Sequence, residues 1–140
     1  MKRIFLLVTF FGLYGCATTA VLPSDAKPAS QERVLMYQTP NEEANAKLIV
    51  VRDKGYLGSA CFTGVYLNNI KAAVLDPGEK ATFYLKPGEW NVAVKGEGKM
   101  CISDAVPSGR DINLNANQTK AVRLFADPSG NVDVKPLPLN

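Results

Sequence analysis

Three regimes of apolar spacing follow one another along the chain. Residues 4–13 are apolar almost without interruption, residues 17–31 mix small, polar and proline positions with no sustained period, and from Leu48 onward the spacing settles to two. A period of two puts alternate side chains on opposite faces of an extended strand, so the third regime predicts β-structure. Leu48, Ile49, Val50 and Val51 form an unbroken aliphatic run, expected at the centre of a sheet and buried on both faces or nearly so. Val65 and Leu67 alternate with Gly64, Tyr66 and Asn68, and Asn68-Asn69 turns the chain into a strand over 70–75, because asparagine tolerates the positive φ of a tight hairpin. Ala81, Phe83 and Leu85 share one face, opposite Thr82, Tyr84 and Lys86, and Trp90, Val92 and Val94 share the next inward face, which assigns Trp90 to the core. Asp76-Pro77-Gly78-Glu79 and Lys86-Pro87-Gly88-Glu89 carry turn chemistry, with Pro setting φ and Gly free to go left-handed. Strands over 110–115, 119–126 and 132–135 complete the set, the last two joined through Asp127-Pro128-Ser129-Gly130. No helical period long enough for a crossover follows Ala46, so the fold class expected is all-β, an antiparallel β-sandwich of seven or eight short strands.

The region before Lys47 divides differently. Met1-Lys2-Arg3 is a short positive start, and the apolar run over 4–13 is too short to span about 30 Å of hydrocarbon as a helix without its polar flanks, which is the pattern of an export signal. The run ends in Leu13-Tyr14-Gly15-Cys16, which resembles the lipobox of bacterial lipoproteins: a Leu, two small residues, then the Cys that receives the lipid, with Tyr14 departing from the usual small residue. The resemblance implies cleavage before Cys16 and its acylation with chains such as palmitate, several of which hold a protein firmly on a bilayer. An Asp directly after that Cys tends to retain such proteins in the inner membrane in enterobacteria and their relatives. Ala17 stands there instead, so the implied destination is the periplasmic face of the outer membrane. The organisation expected is therefore a signal peptide over 1–15, a lipidated Cys and flexible tether over 16–31, whose composition cannot bury enough surface to repay ordering, and a folded domain over 32–140. Within that domain residues 33–37 read as a short edge strand. Thr39-Pro40-Asn41-Glu42 has the form of a capping box opening one helical turn to about Ala46, with an irregular loop as the equal alternative.

Composition narrows the chemistry. The 140 residues contain no histidine, which removes the commonest general base and transition-metal ligand. Of 16 basic residues, Lys2 and Arg3 fall in the export segment, leaving 14 against 13 acidic ones, a balance that asks for no nucleic acid. Beyond Cys16, two cysteines remain, Cys61 and Cys101. In an oxidising compartment they are expected to form a structural disulfide, the competing readings being free core thiols, a redox dithiol or a metal site. No C-x-x-C spacing lowers a thiol pKa and no histidine completes a zinc set. The acidic residues are scattered singly, mostly in turns, and no acid and base pair stands out; the glycines after Gly55 precede no helix that would make them a phosphate loop. No catalytic residue, cofactor, metal or small-molecule substrate is therefore assigned. Among the loops, residues 54–60 put Tyr56 at their middle, placed to stack on a sugar or peptide or, more commonly, to anchor the loop on the sheet edge. Residues 96–109, containing Cys101, form the other long connection.

From about Ala46 to Phe125 the chain resembles a family of small bacterial lipoproteins built on a conserved domain of unknown function. The matching elements are Leu48-Ile49-Val50-Val51-Arg52-Asp53, the glycine loop from Gly55 to Gly58, Val65-Tyr66-Leu67-Asn68-Asn69, and Tyr84-Leu85-Lys86-Pro87-Gly88-Glu89-Trp90. The Pro-Gly-x-aromatic hairpin is similar to that of transthyretin-like and carboxypeptidase-regulatory-like sandwiches. The resemblance implies no catalytic residues. Its functional expectation is a non-catalytic binding or structural module of the cell envelope, held by its lipid and meeting an envelope protein or peptidoglycan. The alternative is a periplasmic inhibitor of a lysozyme-type hydrolase, which needs the 96–109 loop to plug an active site.

Overall fold

A computed structural model describes residues 18–55, 61–98, 106–129 and 131–140. The export segment, Cys16, Tyr56 and Cys101 lie outside these residues. Nine strands form among those described: β1 (Lys27–Pro28), β2 (Ala46–Arg52), β3 (Phe62–Leu67), β4 (Ile70–Leu75), β5 (Glu79–Leu85), β6 (Gly88–Glu97), β7 (Ser108–Leu114), β8 (Thr119–Ala126) and β9 (Val132–Leu137). They build two packed sheets, one of five strands in the order β1-β5-β2-β8-β9 and one of four in the order β4-β3-β6-β7. The protein is all-β, with one short 3₁₀ turn at Gln31–Arg33.

The period-two pattern becomes one core. Leu48 and Val50 of β2, Phe83 and Leu85 of β5, and Val122 and Leu124 of β8 face Val65 and Leu67 of β3, Leu75 of β4, and Val92 and Val94 of β6 across the interior. The hairpin at Asn68-Asn69 holds φ of 48° and 65°, the left-handed pair that a two-residue turn matching strand twist demands. Gly78, at φ 78°, lets the Asp76-Glu79 turn close through the Glu79 amide on the Asp76 carbonyl at 3.1 Å. In the Asp127 turn one side chain does the work of closure: Oδ1 accepts the Ser129 and Asn131 amides at 2.9 Å each.

Several expectations need correction. The sheets are not wholly antiparallel, because β2 pairs parallel with β8 and β1 pairs parallel with β5. Between β2 and β8 the chain passes through β3 and β4 of the other sheet, β5 of this one, and β6 and β7 of the other, so parallel neighbours arise here without a helical crossover. Residues 33–37 form no strand; Val34 makes a single bridge to Ala73. Of the two readings of residues 39–46 the irregular loop holds and the capping box opens no helix: Asn41, not Thr39, accepts the amides of Glu43 and Ala44 at 3.0 and 2.8 Å, and the chain then bends directly into β2.

The largest correction concerns the tether. Residues 18–29, expected to be flexible, are docked on the domain. Thr19 pairs with Lys54 through two backbone hydrogen bonds of 2.7 and 2.9 Å. Val21 and Ala26 then join Val51, Ala121 and Leu137 in a second apolar cluster on the outer face of the five-stranded sheet, with Ile49 packed against it. This cover explains how the aliphatic run of β2 is buried on both sides. Beyond β1, the chain follows the seam between the sheets, where the Leu35 amide reaches the Ala72 carbonyl of β4 and the Tyr37 carbonyl takes the Tyr84 amide of β5, both at 2.8 Å.

Arg33 fastens this strap. Its two terminal nitrogens donate to the two Glu79 oxygens at 2.7 Å each, its Nε donates to Ser30 Oγ at 3.0 Å, and its guanidinium lies 5.9 Å from the Phe62 ring centroid. The Arg33 hydrogen bonds hold the Glu79 carboxyl below its ordinary value against the opposing effect of burial. A carboxylate with a depressed folded pKa stabilises fully above its unfolded pKa, and the contribution disappears as pH falls through the folded value. The melting temperature should therefore drop as pH falls below about 4. Thermal melts of Glu79→Gln should show a lower plateau at neutral pH and a shallower acid slope, and parallel slopes for the two proteins would remove Glu79 from the account.

Candidate functional site

The strand directions give the domain two ends. Arg52, Lys80, Leu124 and Thr18 lie at one, whereas Ala46, Leu85, Thr119 and the hairpin at Asn68-Asn69 lie at the other. A seven-residue strand such as β2 separates them by about 23 Å.

At the first end the polar groups are tied to one another. Asp53, 2% exposed, accepts Arg123 Nε at 2.9 Å on Oδ1, and takes the second Arg123 nitrogen together with the Thr18 hydroxyl, at 2.8 Å, on Oδ2. Arg52 is also buried and donates to the carbonyls of Cys61 and Leu75 at 2.6 and 2.8 Å; burial draws its pKa below the usual guanidinium value. Every buried side-chain nitrogen and oxygen among the described residues has a hydrogen-bond partner, so these charges are structural. Cys61 stands just before β3 at this end.

The second end is open. Tyr37, Tyr84 and Trp90 line a groove of about 380 Å³ with Gln38, Thr39, Asn41 and Lys86. Tyr37 sits at φ 58°, a left-handed backbone uncommon for an aromatic residue. The turn presents its ring edge-on to Trp90, centroids 5.4 Å apart at 79°. Trp90 was expected in the core; it is only half-buried, packing one side on the core while its indole N–H donates to the Lys86 carbonyl at 2.9 Å. Tyr84, on the outward face of β5 as the alternation predicts, has the Lys47 ammonium 5.6 Å from its ring centroid. Glu43 pairs with Lys86 at the rim, and that hydrogen bond holds its carboxyl below the ordinary range. Aromatic faces beside amides, a hydroxyl and a cation suit a ligand with both apolar faces and polar edges.

The lining of the groove carries no carboxylate, the nearest being Glu43 at its rim, and among the described residues no three His, Cys, Asp or Glu side chains gather as a metal set. Tyr56, the sequence-based candidate for ligand stacking, and residues 99–105 of the loop that an inhibitor would need lie outside the described residues. The groove brings together Trp90, assigned to the core, and Tyr84, recognised only as outward-facing, with Tyr37, whose signal was hidden in an expected edge strand. The chain matches no protein-family model, and neither a curated protein nor a solved structure shows significant similarity to it.

Proposed function

We propose that this protein is a lipid-anchored, non-catalytic binding module of the bacterial envelope, with Cys16 carrying the acyl chains at the periplasmic face of the outer membrane. In this reading Cys61 pairs with Cys101, the two packed sheets form a sandwich of the transthyretin-like kind, and the groove of Tyr37, Tyr84 and Trp90 takes a strand of the peptidoglycan mesh. The observation that carries the reading is the placement of that groove at the end opposite Thr18, two residues from the anchor cysteine, so that it opens away from the membrane. Peptidoglycan offers sugar faces to the rings and amide edges to Gln38, Thr39 and Asn41.

Trp90 is the only tryptophan in the chain and lines the groove, which makes its fluorescence a direct reporter. Titration with soluble peptidoglycan fragments should give a saturable emission change. Tyr84→Ala should weaken it by about 1 kcal/mol or more, the value of one aromatic contact, with the melting temperature little altered. An emission spectrum indifferent to the fragments would sink the groove assignment. For the anchor, palmitate labelling should mark the wild-type protein and not Cys16→Ser, and mass spectrometry under non-reducing conditions should find Cys61 and Cys101 in one linked peptide pair.

A further inference from the structure

The clamp on Thr18 has a consequence for how the protein meets a membrane. Its amide donates to the Ala126 carbonyl at 3.2 Å, its hydroxyl accepts the Ala126 amide at 3.0 Å, and the same hydroxyl lies 2.8 Å from the buried Asp53 carboxylate. Thr19 adds the two-bond bridge to Lys54. The fit is close: a Cβ added at Gly55 would stand 3.2 Å from the Thr18 Cα. The chain is thus held from Thr18 onward, and Cys16 is only two residues earlier. Two residues span at most about 7 Å, whatever conformation they take.

We infer that the bilayer headgroup layer is itself a docking partner of this domain: the end bearing Thr18, Lys54 and Asp127 is pressed against it in a fixed orientation, with no free tether between lipid and domain. The inference rests on acylation of Cys16, as proposed above. A flexible stretch of fifteen residues would let the domain roam over roughly 20 Å, at about 5 to 6 Å times the square root of the residue number. The clamp removes that freedom. It orients the domain so that the Trp90 groove is carried about 23 Å, the length of β2, beyond the membrane-facing end. The protein then reaches only a thin layer of the envelope at a set height, which is what a spacer or a sensor of cell-wall distance requires.

The test uses the full acylated chain in vesicles, with acylation verified by mass. A fluorophore is placed through Ser129→Cys in the turn that follows β8, or through Ala116→Cys at the far end, both exposed positions. Headgroup-nitroxide lipids should quench the first several-fold more than the second. Inserting about ten Gly and Ser residues between Ala17 and Thr18, an r.m.s. span of about 17 Å, should collapse that difference while leaving acylation and the melting temperature unchanged. Equal quenching at the two positions of the acylated wild-type chain, or a difference that survives the insertion, would overturn the fixed mounting and leave the lipid anchor intact. A chain that carries no acyl group overturns both.

Discussion

A soluble form beginning at Ser30 is expected to melt far below one beginning at Ala17. Removing residues 17–29 withdraws Val21 and Ala26 from the cluster on Val51, Ala121 and Leu137, and strips the Thr18 and Thr19 hydrogen bonds from the ends of β2 and β8. It also deletes β1, which supplies the outer neighbour of β5. Burial of a valine is worth about 1.5–3 kcal/mol, and each intramolecular hydrogen bond adds about 1 kcal/mol. The sum is at least about 4 kcal/mol, against a total of about 5–15 kcal/mol for a domain of this size. At about 4–8 °C per kcal/mol the melting temperature should fall by more than about 15 °C. Val21→Asp in the longer form should produce a good part of the same loss, since it buries a charge in an apolar cluster. Identical melting curves for the two lengths would return this segment to the status of a tether and remove the ground for a fixed mounting.

That segment also shows where sequence reading stopped. Strands β2 to β9 were legible because they carry an aliphatic run or a period-two stripe between turns whose Asn, Pro and Gly residues declare their geometry, as at Asn68-Asn69 and Asp76-Pro77-Gly78-Glu79. Residues 18–29 hold only Val21, Leu22 and a few alanines, too little apolar surface to order themselves, and no local pattern shows that β2, β8 and β9 expose a complementary patch. Yet the run of Leu48, Ile49, Val50 and Val51 predicted burial on both faces, which demanded a cover on the outer side. The cover is the strap. The groove was opaque for a related reason: Tyr37 reaches Trp90 through a left-handed turn and a long-range amide bond to β5, neither of which periodicity encodes. Parallel pairing of β2 with β8 was equally hidden, since it depends on the path the chain takes between sheets.

Substitution of Asp53 by Asn is expected to cost about 3 kcal/mol, the lower part of the range for breaking a buried ion pair. Both carboxylate oxygens face donors: Arg123 Nε on one, the second Arg123 nitrogen and the Thr18 hydroxyl on the other. An amide must turn its NH₂ toward one of them, so a donor meets a donor inside the fold and the guanidinium loses its counter-charge. The cost stays at the lower end because Arg123 keeps a fifth of its side chain in water and can swing outward. Replacing the pair together, Asp53→Leu with Arg123→Met, should recover most of the loss, as a matched apolar pair leaves no charge stranded. Thr18→Val should be milder alone, about 1 kcal/mol, and should add little to Asp53→Asn, because the hydroxyl and the carboxylate stabilise one another. Chemical denaturation of the four variants closes the cycle. Full additivity of Thr18→Val and Asp53→Asn would mean that the strap and the β2–β8 ion pair are independent, and Thr18 would then be fastened through Ala126 alone.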